Sequence, residues 1–184
     1  MNKIEKILRK IARELTLKWR IPARYIMERK IFLKINGKKV LLVGAAHYTA
    51  NYPKLLGEGS RNELWTIDID PRMREFGGKK HIIDNITNID KYFKKEFFDI
   101  ILLFGILGYG LNTKKEAEKA MKSCYKVLKK NGELIITWSD FEPKNKVMPE
   151  KLKNFKLFKR KSLYGYSSQY HAGKKGIFEF LIKK

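Results

Sequence analysis

Residues 98–138 read FDIILLFGILGYGLNTKKEAEKAMKSCYKVLKKNGELIITW, and this stretch decides the fold. FDIILLF, residues 98–104, is apolar at almost every position, as a parallel strand covered on both faces should be. Thr113-Lys114-Lys115-Glu116 is a capping box, in which the Thr and Glu side chains satisfy backbone N–H groups that open a helix. Ala117, Ala120, Met121, Cys124 and Leu128 then recur on one helical face. Asn131-Gly132 reads as the helix stop, and ELIITW, residues 133–138, as the next strand. Strand, helix, strand with short connections predicts an α/β fold with a mainly parallel sheet.

The same signals extend in both directions. KKVLLVG predicts a buried strand over residues 39–44, LWTIDID one over 64–70, and HIID one over 81–84. FKLFKRKSL and GIFEFLIKK predict a terminal antiparallel pair. At the other end, Ile4, Ile7, Leu8, Ile11 and Leu15 mark one face of an amphipathic helix, expected to dock on the sheet. Pro22 fits the first turn of a second helix running through Tyr25–Phe32. Nothing resembles a repeat or a linker. The expectation is a single domain over 1–184, with a basic helical cap at 1–36 and the α/β core at 37–184.

Composition bounds the function. With 184 residues and 43% hydrophobic content, the chain suffices for one such domain and is not disordered. Lys and Arg number 41 against 19 Asp and Glu, a net of +22. Residues 1–39 hold 13 basic and 3 acidic side chains, residues 40–112 hold 9 of each, and residues 141–184 hold 12 and 3. The flanks therefore carry the excess and the centre is balanced, which points to an anionic partner docking on the flanks. Cys124 is the sole cysteine, so a disulfide framework and a cysteine-rich metal site are excluded, and no metal is expected. The most apolar run, Ile100–Leu107, is too short to span a bilayer. Residues 1–20 lack the apolar core of a secretory signal and read as part of the fold, with the cytoplasm as the expected compartment.

In an open parallel sheet, ligands bind beyond the carboxyl ends of the strands, where strand order reverses. The strand ends here are Gly44-Ala45-Ala46-His47-Tyr48-Thr49, then Asp68 and Asp70, then Asp84, then Phe104-Gly105-Ile106. Asp68 stands 24 residues beyond Gly44, near the spacing at which a carboxylate takes ribose hydroxyls. A second carboxylate, Asp84, suits an adenine amino group. Where a dinucleotide fingerprint wants three glycines to admit a pyrophosphate, this chain has Gly44, Ala46 and Thr49. No phosphate loop of the NTP-hydrolysing kind is present either. A nucleoside without phosphates fits these constraints, and S-adenosylmethionine is one.

At these residues the chain resembles the class I S-adenosylmethionine-dependent methyltransferases, a Rossmann-like family. The first motif appears as VLLVGAA, the acidic end of the second strand as TIDIDPRM, and the turn into the fifth strand as VLKKNGELII. The motifs cover residues 39–138, and the reversed last hairpin extends the likeness to residue 184. The resemblance implies that Gly44, Ala45 and Ala46 line the methionine end of the cofactor. It implies that Asp68 holds the ribose diol with Ile69 beside the adenine, and that Asp84, Asn85 and Ile86 read the adenine edge. Phe104 and Gly105 would adjoin the sulfonium. The chain departs from the family at Leu42, where an acidic residue is usual, and at Ala46 and Tyr48, where glycines are usual. Pro53 predicts a late start for the next helix.

His47, Tyr48 and Tyr109 are the candidates for a general base, and none is assigned as catalytic. No (D/N)PP(Y/F) follows the fourth strand, which counts against DNA exocyclic amines. Cys124 lies on a buried helix face, which counts against covalent C5-cytosine chemistry. Oxygen or another kind of nitrogen is the expected acceptor atom, and RNA is the leading anionic substrate. Two alternatives stand beside it: a small-molecule methyltransferase with incidental charge, and a non-catalytic binder of nucleic acid or nucleoside. The Tyr164, Tyr166, Tyr170 and His171 loop reads equally as a base-stacking platform, a lid, or a packed hairpin loop.

Overall fold

The computed structural model describes residues 3–57, 60–140, 147–173 and 176–184. Five parallel strands, β1 (Lys39–Val43), β2 (Glu63–Asp68), β3 (Lys80–Ile83), β4 (Phe98–Phe104) and β5 (Leu128–Trp138), lie in the order β3-β2-β1-β4-β5. Strand order therefore reverses at β1 and β4, the place where a ligand cleft opens. β6 (Phe158–Arg160), β7 (Gln169–Ala172) and β8 (Gly176–Lys183) extend the sheet. β8 runs antiparallel to β5, and both β6 and β7 pair with β8. The expected terminal pair is thus three strands. β6 takes the Leu181–Lys183 end of β8, and β7 takes the Gly176–Glu179 end.

Side-chain alternation along the central strands sends residues to two buried faces. Leu41, Val43, Ile101 and Leu103 face one cluster, closed by Ala117, Ala120, Met121 and Cys124. Val40, Leu42, Ile100 and Leu102 face the other, with Ile31, Phe32, Tyr52, Leu56, Phe178 and Phe180. Coverage of both faces explains the unbroken apolar runs of β1 and β4.

The helices are α1 (Lys3–Arg20), α2 (Pro22–Ile26), α3 (Tyr52–Gly57) and α4 (Lys114–Val127). Pro22 opens α2, which continues through a π-helical turn, Met27–Ile31, and a 3-10 turn, Phe32–Lys34. α3 begins only at Tyr52, with Pro53 in its first turn, so the late start predicted from Pro53 holds. Thr113 and Glu116 form the expected capping box on α4.

Two expectations are corrected. Asn131-Gly132 is no helix stop, because α4 ends at Val127 and Leu128 already pairs with Phe98. The pairing then jumps to Ile100 with Glu133, so the intervening β5 residues make a tight turn. Asn131 sits at φ +59°, and a Cβ on Gly132 would lie 2.8 Å from the Lys129 carbonyl oxygen, which is why Gly is needed. The second correction concerns α1. Its apolar stripe is not docked on the sheet: Ile4, Ile7, Leu8, Ile11 and Leu15 are all exposed. α1 touches α2, and Arg29 of the π-helical turn holds Glu14 through a bidentate ion pair.

Candidate active site

A cleft lies across the carboxyl ends of β1, β2, β3 and β4, in two halves that share Val43, Gly44, Asp68, Ile106 and Tyr109. The narrower half, about 160 Å³, is lined by Asp68, Ile69, Asp84, Asn85 and Ile86, with Leu111 opposite. The wider half, about 260 Å³, is lined by Ala45, Ala46, Phe104 and Gly105 together with Met27, Leu42, Tyr48 and Thr137. All ten residues expected to contact the cofactor therefore line one continuous cleft. None of the residues lining it is Lys or Arg, among the described residues.

Gly44 forms the waist. Its φ of +87° is a left-handed conformation that disfavours any side chain, and an added Cβ would come within 2.8 Å of Ile106 Cδ1. Its N–H donates to the Ile67 carbonyl at 2.9 Å, which carries the turn toward the end of β2. There Asp68 accepts from the Ala45 N–H at 2.7 Å and from the Asp70 N–H at 2.8 Å. Each oxygen keeps a free lone pair, so the carboxylate can still accept from a pair of hydroxyls in the cleft.

Asp84 is more committed. It accepts from the Asn85 N–H at 2.6 Å, from Asn88 Nδ2 at 2.9 Å and from the Tyr92 hydroxyl at 2.8 Å. The Asn88 and Tyr92 bonds hold its carboxyl below the usual range. Asn85 caps the short helix Ile86–Lys91 by accepting from the Thr87 N–H at 2.9 Å. Both residues thus reach the cleft while serving the turn that follows β3.

The candidate bases separate. Tyr48 and Tyr109 flank the cleft as exposed rings. His47 lines neither half and instead sits edge-to-face with Phe76, 6.3 Å between ring centroids. Burial pushes the Cys124 thiol up to about 12, which keeps it inert as a nucleophile. Met27, Tyr52 and Thr137 line the cleft without having been singled out, whereas Thr49 and Ile106 were already named at the strand ends. Position just past β4 was a usable signal for Ile106. Met27 reaches the cleft from a distant helix that no local pattern connects to it.

Residues 41–136, just over half of the chain, match the family model described as a methyltransferase domain. The chain belongs to this family. Its class I members use S-adenosylmethionine, and the strand-end carboxylates beside a turn that lacks the phosphate-admitting glycines fit that nucleoside. Among curated proteins, a ubiquinone/menaquinone biosynthesis C-methyltransferase of Pectobacterium carotovorum is 32% identical over 102 residues, covering 50% of this chain and 38% of that one. The chain therefore matches well under half the length of such relatives. The N-methyltransferase NodS of Bradyrhizobium japonicum with S-adenosyl-L-homocysteine aligns with TM-score 0.62 at 16% identity, over 95% of this chain and 97% of that one. A SAM-dependent methyltransferase of Aquifex aeolicus gives 0.59 at 17%, over 92% and 93%. These two likenesses speak for the fold.

Proposed function

We propose that this chain transfers the methyl group of S-adenosylmethionine to a small, largely apolar acceptor held in the wider half of the cleft. The carrying observation is the lining of that half. Met27, Leu42, Phe104 and Ile106 supply apolar walls, the Tyr48 and Tyr109 rings stand at its edge, and no cationic side chain enters among the described residues. An anionic acceptor would bury its charge there without a partner, which is costly. The cofactor, when bound, supplies an electrophilic methyl group on a sulfonium. In this reading Asp68 holds the ribose, Ile69 and Ile86 cover the adenine, and Ala45, Ala46 and Gly105 leave room at the methionine end, a reading supported by their shared lining of the cleft.

Methyl transfer is an in-line displacement, so the walls act mainly by positioning the acceptor. The similarity to ubiquinone/menaquinone C-methyltransferases favours carbon as the acceptor atom over oxygen or nitrogen. A carbon acceptor must lose a proton, and the exposed Tyr48 and Tyr109 hydroxyls beside the cleft can relay it, each taking the proton as it passes its own to water.

RNA, the acceptor class favoured by the flank charge, has less support. Tyr166 stacks on Phe180 with planes 10° apart, and Tyr164 hydrogen-bonds Glu133, so these rings pack against β8 and β5. Methyl incorporation from labelled S-adenosylmethionine, screened over quinols, small phenols and total RNA at low and high salt, tests the proposal. Label on a small aromatic acceptor, insensitive to salt, is expected. Label on RNA that falls steeply with salt overturns it.

A further inference from the structure

We infer that α1 is an in-plane anchor for an anionic lipid surface. The helix runs 18 residues, and five of its six large aliphatic residues fall at i, i+3, i+4, i+7 and i+11, a single stripe, with Leu17 outside that spacing. That stripe faces water: Ile4 is 67% exposed, Leu8 60%, Leu15 52% and Ile11 50%. The core does not need it. Ile26, Met27, Ile31 and Phe32, from α2 and the turns after it, already close the sheet face containing Phe178 and Phe180.

The charge of the helix selects what covers the stripe. Its sequence carries seven Lys and Arg against Glu5 and Glu14, and Glu14 is occupied by Arg29. A second copy packed stripe to stripe would bring two strongly cationic helices together. Nucleic acid would neutralise the cations and leave the aliphatic stripe in water. A bilayer surface containing acidic lipids satisfies both halves, with aliphatic side chains at the acyl boundary and cations among the headgroups. No helix of the described residues is long and apolar enough to cross a membrane, so α1 lies on the surface and does not span it.

The location is also informative. Arg29 grips α1, and Met27, on the same π-helical turn, walls the wider half of the cleft. One short turn therefore links the anchor to a wall of the cleft.

Co-sedimentation of the full chain with phosphatidylcholine vesicles, with and without phosphatidylglycerol, tests this. Binding is expected only with the acidic lipid and should weaken as salt rises. Leu8→Glu with Ile11→Glu should lower it at least tenfold, with the thermal unfolding transition unchanged. Leu8→Trp with Ile11→Trp, which keeps the stripe apolar, should retain it, and so separates loss of the stripe from loss of the helix. Failure to sediment with acidic vesicles overturns the inference. So does binding that survives the glutamate pair, which would be charge adsorption alone. Self-association or RNA binding lost in the glutamate pair, without vesicle binding, overturns it in favour of that other partner.

Discussion

The Asp68 carboxylate accepts the Ala45 amide hydrogen at 2.7 Å while facing the cleft. One side chain thus pins the turn after β1 to the end of β2 and offers acceptors to a ligand. Asp68→Ala is expected to lower both the unfolding temperature and the affinity for S-adenosylmethionine. Asp68→Asn keeps one acceptor for Ala45, so stability should recover more than binding. A hydrogen bond to a charged group contributes about 1.5–3 kcal/mol, a loss of roughly 10- to 100-fold in affinity. Calorimetry with S-adenosylmethionine and thermal unfolding measure the two effects. Wild-type affinity in Asp68→Asn would remove Asp68 from the binding site.

Asp84 should behave differently, because three donors already hold its carboxylate. Asp84→Ala frees the Asn88 amide and the Tyr92 hydroxyl, both able to turn to water. The variant is expected to loosen the Ile86–Lys91 helix, to cost about 1 kcal/mol of stability, and to weaken cofactor binding by less than Asp68→Ala does. The same titration series decides it. A larger binding loss at Asp84 than at Asp68 reverses the assignment of the two carboxylates.

The contrast between these carboxylates shows what the sequence carries. Strand positions were legible because β1 and β4 are buried on both faces and read as unbroken apolar runs. The cleft followed from the reversal of strand order, which places the strand ends together whatever their side chains do. Side-chain commitments were not legible: nothing local tells that Asp84 turns to Asn88 and Tyr92. Asn131-Gly132 misled because the same dipeptide ends helices and makes tight turns, and only pairing with β4 distinguishes them. Periodicity gave α1 an apolar face and said nothing about what would cover it.

His81 introduces a pH dependence. It projects from β3 with Nδ1 2.7 Å from Thr66 Oγ1, and burial lowers its pKa from the ordinary 6.5, against the pull of Asp68 and with the push of Arg74. The unfolded chain therefore binds the proton more readily. Stability from this group is complete above about pH 6.5 and is lost as pH falls toward the folded value. His81→Gln should flatten the stability curve as pH falls below about 6.5, read from denaturant midpoints at each pH. Asp84, also lowered, acts in a separate window below its ordinary 3.8, and its stability is lost as pH falls through the folded value. An unchanged slope in His81→Gln would assign the acid sensitivity elsewhere.

Glu179 lies fully buried on β8 and joins that strand to β6 and β7. It accepts from Arg160 of β6, at 2.8 Å from Nε and 3.0 Å from Nη2, and from Gln169 Nε2 of β7 at 2.6 Å. Arg160→Ala leaves the carboxylate without its cation. Because the Arg160 side chain is 40% exposed, water compensates in part, and a loss of about 1.5–3 kcal/mol is expected, short of that for a fully buried pair. Replacing both partners with apolar residues, Arg160→Met with Glu179→Leu, removes the stranded charge and should recover most of the loss. Chemical denaturation of the two single variants and the double variant gives the coupling directly. Additive losses would mean that the pair does not act as a unit, and that β6 is held to β8 by backbone pairing and Phe158 alone.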